Sequence, residues 1–253
     1  MSPPVRRALT VALLFAAGCA ASIARAADPP AAPDEGRRVE RLRMVAEQIE
    51  ARGVREPRLL EALRTVPRHA FVPAARAGEA YADRAVPIGH GATISQPYVV
   101  AVMTEQAAVR EGARVLEVGT GSGYQAAVLA ALGAEVYTIE IVEPLARRAL
   151  ASLRAAGFPG VHVRVGDGYR GWPEAAPFDA ILVTAAAPRV PEPLLAQLAV
   201  GGRLVIPVDG EGGAQELQVH ERTASGVTVR RVLGVRFVPM TGEVRSPDAA
   251  RER

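Results

Sequence analysis

The sequence contains no lysine and no asparagine, and only one cysteine, Cys19, among 253 residues. Without lysine there can be no Schiff-base catalysis, no pyridoxal phosphate attachment and no Walker-type phosphate grip. All thirty basic residues are arginine. Both missing residues have AT-rich codons, so a GC-rich genome accounts for the two absences together. The four histidines, His69, His90, His162 and His220, never fall in H-E-x-x-H or another metal-ligand spacing, so no metal is expected.

The one cysteine lies in a stretch with a separate purpose. Arg6 and Arg7 precede the apolar run Ala8–Ala21, and Ala24-Arg25-Ala26 forms a small-x-small cleavage site. That is the layout of a secretory signal peptide over residues 1–26. The run is too short for a confident membrane span, with an uncleaved anchor as the alternative. Ala17-Gly18-Cys19 also resembles the end of a lipoprotein signal, but Ala16 stands where leucine is usual, which ranks lipidation second. Cleavage after Ala26 removes three arginines, no acids and the cysteine, so the formal charge of +3 falls to zero. A neutral mature chain gives no ground for a nucleic-acid partner. It has no disulfide and no thiolate nucleophile either. The expectation is an exported, periplasmic protein with no membrane span after cleavage.

Along the remaining chain, residues 27–36 are Ala/Pro-rich and read as a flexible leader. One domain is expected over 37–245, followed by a short tail, 246–253. Val39, Leu42, Val45, Ala46 and Ile49 form one helical stripe over Arg37–Arg52, with Gly53 as its cap. Pro57–Arg64 and Pro97–Val109 read as helices, and Arg68–Ser95 between them as irregular and long for an idle loop. From Arg114 the rhythm is strand, helix, strand. Strands are expected at Val115–Val118, Glu135–Glu140, Val161–Val165, Phe178–Thr184 and Arg203–Val208. Helices are expected at Gln125–Leu132, Pro144–Ala156 and Pro191–Leu198. This alternation calls for a single α/β domain with a doubly wound, mostly parallel sheet. Glu216–Glu221 and Gly226–Val238 alternate as strands and suggest an antiparallel end.

The motif V-L-E-V-G-T-G-S-G-Y (Val115–Tyr124) sits at the first strand-to-helix turn. Gly119, Gly121 and Gly123 let the backbone turn sharply and a ligand approach closely. A dinucleotide fingerprint would need glycine at Tyr124. The E-x-G-x-G-x-G form, with Glu117 at the strand's end, is instead associated with S-adenosylmethionine (SAM). Glu140 ends the second strand, 21 residues after Gly119. It is placed either to accept from both ribose hydroxyls of an adenosine or to stand as a solvated carboxylate before a helix. Asp167 and Gly168, after the third strand, form either an adenine contact or a plain turn. Ser122 lies in G-S-G and not in G-x-S-x-G, which excludes a nucleophile elbow.

Taken with G-H-G-A-T-I-S-Q-P-Y (Gly89–Tyr98), G-D-G-Y-R-G-W (Gly166–Trp172), F-D-A-I-L-V-T-A-A-A (Phe178–Ala187) and R-F-V-P-M-T-G (Arg236–Gly242), the chain resembles the protein-L-isoaspartate O-methyltransferases. The resemblance covers about Val39–Glu243. It implies a class I, Rossmann-like fold, SAM as cofactor and S-adenosylhomocysteine (SAH) as product. The partners it implies are damaged proteins carrying L-isoaspartyl residues, whose free carboxylate is methylated so that repair can follow. It puts Ser95 in the active site, Thr93 and Ile94 beside cofactor and substrate, and Thr241 near the pocket. An ionised carboxylate needs no general base, so Ser95 is expected to position it and not to attack. His90 is expected either to touch substrate or to bond backbone. Trp172 and Tyr169 stack near adenine or pack in the core. Two other functions fit the residues: a SAM enzyme for another carboxylate or small molecule, and a non-catalytic SAM-binding protein.

Overall fold

The computed structural model describes Met1 and residues 33–245. The expected signal peptide beyond Met1, most of the expected leader and the 246–253 tail lie outside the described residues. Helix α1 (Pro33–Arg43) starts inside the stretch read as leader, with proline in the first turn, where its missing N–H leaves no bond unmade. The expected Arg37–Arg52 helix is three pieces. After α1 the chain widens into a π turn, Met44–Ile49, then tightens into a 3₁₀ turn, Glu50–Arg52, and stops at Gly53 with φ +99°. Of the expected stripe, Val45 and Ile49 are buried and Leu42 is half-buried, but Val39 and Ala46 are exposed. Met44, outside the stripe, is buried instead, because the wider π turn shifts the period that sets the buried face. Helix α2 (Pro57–Thr65) is capped by Glu56, whose side chain accepts from the Arg58 amide, and buries Leu59, Leu60, Ala62 and Leu63.

The segment Arg68–Ser95 is more ordered than its composition suggests. Two 3₁₀ turns, Arg68–Phe71 and Ala74–Glu79, lead into a hairpin of β1 (Val86–Gly89) and β2 (Ala92–Ile94). Gly89, His90 and Gly91 all have positive φ at its turn. Strands of three or four residues, one with Pro87, carry too little alternation to be read from sequence. Helix α3 (Pro97–Ala107) follows directly and ends at Ala108 in the left-handed region.

The main sheet has seven strands in the order β5-β4-β3-β6-β7-β8-β9. Five are parallel: β3 (Arg114–Val118), β4 (Glu135–Glu140), β5 (His162–Val165), β6 (Phe178–Val183) and β7 (Leu198–Asp209). Helices α4 (Tyr124–Ala131) and α5 (Glu143–Ala155) join the first three, and the short α6 (Glu192–Ala196) precedes β7. Strands β8 (Gln215–Thr223) and β9 (Gly226–Val235) close the sheet as an antiparallel meander. β7 is longer than the Arg203–Val208 expected, because it begins at Leu198 and runs through a register shift opposite Phe178 and Ala180. α6 is correspondingly shorter.

Both faces of the parallel strands are covered, as their near-continuous apolar runs require. Val115, Leu182 and Val205 face the core shared with α2, α3 and α4. Leu116, Val118, Ile181, Val183, Leu204 and Ile206 point the other way, to Tyr169, Leu194 and Met240. This is period-two alternation on a two-sided sheet. Truncating Leu116, fully buried, to alanine costs about 2–5 kcal/mol.

The winding reverses at β3: the chain runs outward through β4 and β5 on one side and through β6 and β7 on the other. The carboxyl ends of β3 and β6 therefore border the crevice where such sheets take ligands.

Candidate active site

The glycine loop leaves β3 at this reversal. Gly119 has φ +101°, and a Cβ there would lie 2.4 Å from the Thr184 hydroxyl oxygen. Only glycine allows both the turn and the contact. The Thr184 hydroxyl, just past β6, donates to the Gly119 carbonyl at 2.5 Å and its amide donates to the Val118 carbonyl at 2.9 Å, so the two strand ends are stitched together. Gly123 serves packing: it lines neither the cleft nor the chamber that border this loop, and a Cβ there would press on Leu153 and Ala149 of α5 at 3.2 and 3.3 Å. Gly168 allows a second close approach, since its Cβ would collide with Val118.

Glu140 is nearly buried at the end of β4. One carboxylate oxygen accepts from the Gly121 amide at 2.8 Å and the other from the Val142 amide at 2.9 Å. A carboxylate has about four lone-pair sites, so one on each oxygen stays open while the group is held still. Glu140 lines a cleft of about 330 Å³ with His90, Thr93, Gly119, Gly121, Gly168, Thr184 and Thr241. The size suits a small-molecule cofactor.

Beside this cleft lies a chamber of about 30 Å³ bordered by Thr93, Ile94, Ser95, Glu117, Gly121 and Tyr124. Glu117 is fully buried, and one of its oxygens accepts from the Thr138 hydroxyl at 2.5 Å. The other oxygen has no hydrogen-bond partner among the described residues. Burial pushes this carboxyl up to about 8, the Thr138 bond opposes the shift and the Glu140 charge adds to it. The orphaned buried oxygen calls for a partner, and an ammonium group placed there would supply hydrogens and a charge that draws the carboxyl back to its ionised form. The residues therefore fit a ligand that combines an adenosine with an amino acid.

On the far side of Thr93 and Thr184 opens a groove of about 990 Å³. Ser95, Gln96 and Tyr98 line one wall, and Leu233–Pro239 line the other. Arg52 lies 3.7 Å above the Tyr98 ring and pairs with Asp83 at 3.1 Å, while Gln96 donates to Asp83 at 2.7 Å. Thr93 and Thr184 line cleft, chamber and groove alike.

The chain beyond β9 forms the shared wall. The expected strand Gly226–Val238 stops at Val235. The next residues run as a strap in which the Ala186 amide donates to the Val238 carbonyl at 2.9 Å and the Met240 amide to the Ala186 carbonyl at 2.7 Å. Asp167 fastens the end of the strap. Its oxygens accept from the Tyr169 amide at 2.9 Å and the Glu243 amide at 2.6 Å. It does not line the cleft.

Ten of the eleven residues singled out from sequence thus border these spaces or fasten their walls: Thr93, Ile94, Ser95, Glu117, Gly119, Gly121, Glu140, Gly168 and Thr241 as lining, Asp167 as fastening. Gly123 shapes the loop from behind. His90 lines the cleft, while Tyr169 and Trp172 do not. Trp172 packs edge-on against Tyr137 and beneath the Arg164 guanidinium, and Tyr169 is core. Thr184 was missed. Its sequence signal was that of a polar residue closing the apolar run Ala180–Val183. Among the described residues no group of three or more His, Cys, Asp or Glu is placed to hold a metal, and no helix is long and apolar enough to cross a membrane.

A doubly wound sheet, a glycine turn at its reversal and an acid pinned at the end of the second strand define a class I SAM-dependent methyltransferase. Comparison with known proteins narrows this. The sequence profile described as protein-L-isoaspartate(D-aspartate) O-methyltransferase matches residues 40–245, and the chain belongs to that family. Among its relatives is the protein-L-isoaspartate O-methyltransferase of Gloeobacter violaceus, 56% identical over 200 residues, covering 79% of this chain and 98% of the relative. The enzyme of the same name from Opitutus terrae is 55% identical over 213 residues, covering 84% and 91%. A candidate protein-L-isoaspartate O-methyltransferase from Plasmodium falciparum, solved with SAH, superposes with a TM-score of 0.71 at 25% identity, over 79% of this chain and 98% of that one.

Proposed function

We propose that the protein transfers the methyl group of SAM to the free carboxylate of L-isoaspartyl residues in damaged proteins. The observation that carries this reading is the meeting of a nucleoside-sized cleft and a peptide-sized groove at Thr93 and Thr184, with Ser95 on the groove side. When bound, SAM supplies an electrophilic methyl on a sulfonium.

The residues of the chain then have distinct tasks. Glu140 takes the ribose hydroxyls on its open lone pairs. Glu117 takes the ammonium, and Gly119, Gly121 and Gly168 keep the backbone near the ligand. Ile94 and Thr241 close its sides. Thr93 and Thr184 stand where donor and acceptor meet. Ser95 donates a hydrogen bond that orients the accepting carboxylate. That carboxylate has an ordinary pKa near ~4 and is ionised at neutral pH, so no base is required. Transfer cancels the sulfonium and carboxylate charges, which a site closed to water favours. Alignment is the remaining task, and good alignment is worth about 7–11 kcal/mol.

A cleavable signal peptide over residues 1–26 would send the enzyme to the periplasm, where its substrates would be exported proteins. The basic pair Arg6-Arg7 before an apolar run and the Ala24-Arg25-Ala26 site support export.

Purified chain starting at Ala27, labelled SAM and peptides differing only in isoaspartyl or aspartyl linkage test the activity. Label on the isoaspartyl peptide alone is the expected result. SAM binding with no transfer to either peptide would sink the repair reading in favour of another acceptor. Absence of SAM binding would leave a scaffold without the chemistry. Fusing the first 40 residues to a reporter enzyme active only outside the cytoplasm tests export, and a silent reporter refutes it.

A further inference from the structure

Arg68 is the largest fully buried side chain among the described residues, and it lines none of the cavities described above. It starts the 3₁₀ turn after α2. Its Nε donates to the Ala80 carbonyl at 2.6 Å and its Nη2 to the Ser95 carbonyl at 2.7 Å. The guanidinium carbon lies 4.9 Å from the centre of the Tyr124 ring, and Tyr124 is the first residue of α4, immediately after the glycine loop. Arg68 therefore touches the end of the second 3₁₀ turn at Ala80, the residue after the hairpin at Ser95, and the helix that begins at the cofactor turn.

We propose that Arg68 is a positioning residue for methyl transfer, its buried guanidinium holding Ser95 at the junction of cofactor cleft and substrate groove. The proposal rests on the reading of Ser95 as the group that orients the substrate carboxylate.

Three observations carry it. First, Ser95 stands one residue beyond the paired hairpin, whose last partners are Val86 and Ile94, and two residues before α3. The Arg68 bond fixes the carbonyl of the one residue that neither element holds. Second, the two carbonyls belong to chain segments fifteen residues apart, and a planar fork reaches both in fixed directions, as an ammonium cannot. Third, no carboxylate pairs with Arg68 among the described residues, and its Nη1 has no partner. The ionisable groups facing it are the phenols of Tyr124 and Tyr81, and burial lowers the guanidinium to about 10, which leaves it charged at neutral pH. A buried cation without an anion is costly, and a thioether of similar length would fill the space more cheaply. The fork is kept for its two bonds.

The test compares Arg68→Met and Arg68→Lys with the parent protein. Three quantities are read for each: melting temperature, SAH affinity by calorimetry, and kcat and KM with an isoaspartyl peptide. The expected result is a loss in kcat on the order of 10²-fold for Arg68→Met, the scale of a 1 Å misplacement, with SAH affinity changed less than about threefold. Arg68→Lys, able to reach one carbonyl, should recover part of the rate and serves alone if the methionine variant does not fold. Unchanged kcat in a folded variant overturns the proposal, as does a rate loss matched by an equal loss of SAH affinity. Combining each variant with Ser95→Ala separates the premise from the inference. If Ser95→Ala alone keeps full rate, the reading of Ser95 fails whatever Arg68 does. If Ser95→Ala is slow and Arg68→Met lowers its rate by the full factor seen in the parent, Arg68 acts elsewhere and only the inference fails. Little further loss in the double variant supports both.

Discussion

The cofactor cleft and the substrate groove meet at two threonines but are made in different ways. The cleft is made of strand ends. Gly119 follows β3, Glu140 ends β4 and Gly168 follows β5, and each is placed by the order of the sheet. The groove is made of parts from distant places in the chain: Arg52 after α1, Asp83 and Ser95 around the hairpin, and Leu233–Pro239 from the meander and strap. Its polar pairs, such as Arg52 with Asp83, are half-exposed, whereas Glu117 and Glu140 are buried. Errors in the cleft should therefore be steep and all-or-none, and changes in the groove should be graded.

The largest effect should come from Gly119→Ala. Positive φ alone costs a non-glycine residue about 1–3 kcal/mol, and the new Cβ overlaps the Thr184 hydroxyl. SAH binding should weaken on the order of 10²-fold, measured by calorimetry. Adding Thr184→Ala should restore part of it by removing the collision. No recovery would show backbone strain to be the whole effect.

Ser95→Ala comes next and carries the comparison across the junction. A hydrogen bond to a charged group contributes about 1.5–3 kcal/mol, so turnover should fall roughly 10- to 100-fold while SAH affinity stays put. A parallel fall in SAH affinity would make Ser95 part of the cleft.

Glu117 gives the cleft a signature in pH. Its folded carboxyl, pushed up to about 8, holds a proton that the unfolded chain releases near pH 4.5. The native state binds more protons in that window, so the stabilisation is complete below the unfolded value and is lost as pH rises through the folded one. The slope reaches about 1.4 kcal/mol per pH unit. Denaturant unfolding between pH 5 and 8 should be flatter for Glu117→Gln than for the parent, and a parent curve already flat would contradict the assignment.

The smallest effect belongs to the groove. Asp83→Ala removes a half-exposed pair with Arg52 and the Gln96 bond, a contribution of about 0.2–1 kcal/mol. Peptide KM should rise a fewfold at most, with kcat and SAH affinity unchanged. A large kcat effect would mean that the groove is as rigid as the cleft.

The same contrast explains what was legible in the sequence. Glycines with special φ, acids at strand ends and two-sided apolar strands are local consequences of one fold, and they pointed to the sheet, Gly119, Gly121, Glu140 and Gly168. Asp167 was legible as a strand-end acid, but not its bond to Glu243, 76 residues away. Thr184 showed in the sequence only as a polar residue after an apolar run, because its partner, the Gly119 carbonyl, is 65 residues away. Arg68 looked like one arginine among thirty. The β1–β2 hairpin was too short for periodicity, and the break of the first helix into α, π and 3₁₀ turns leaves no mark in a continuous apolar stripe.

The strap tied to Ala186 and Asp167 also sets an order of events. Glu140 is synthesised about a hundred residues before Thr241, so a nascent chain carries the glycine loop and both acids long before it has a wall to close them in. The cleft therefore gains its last wall only when the chain through Glu243 has come together.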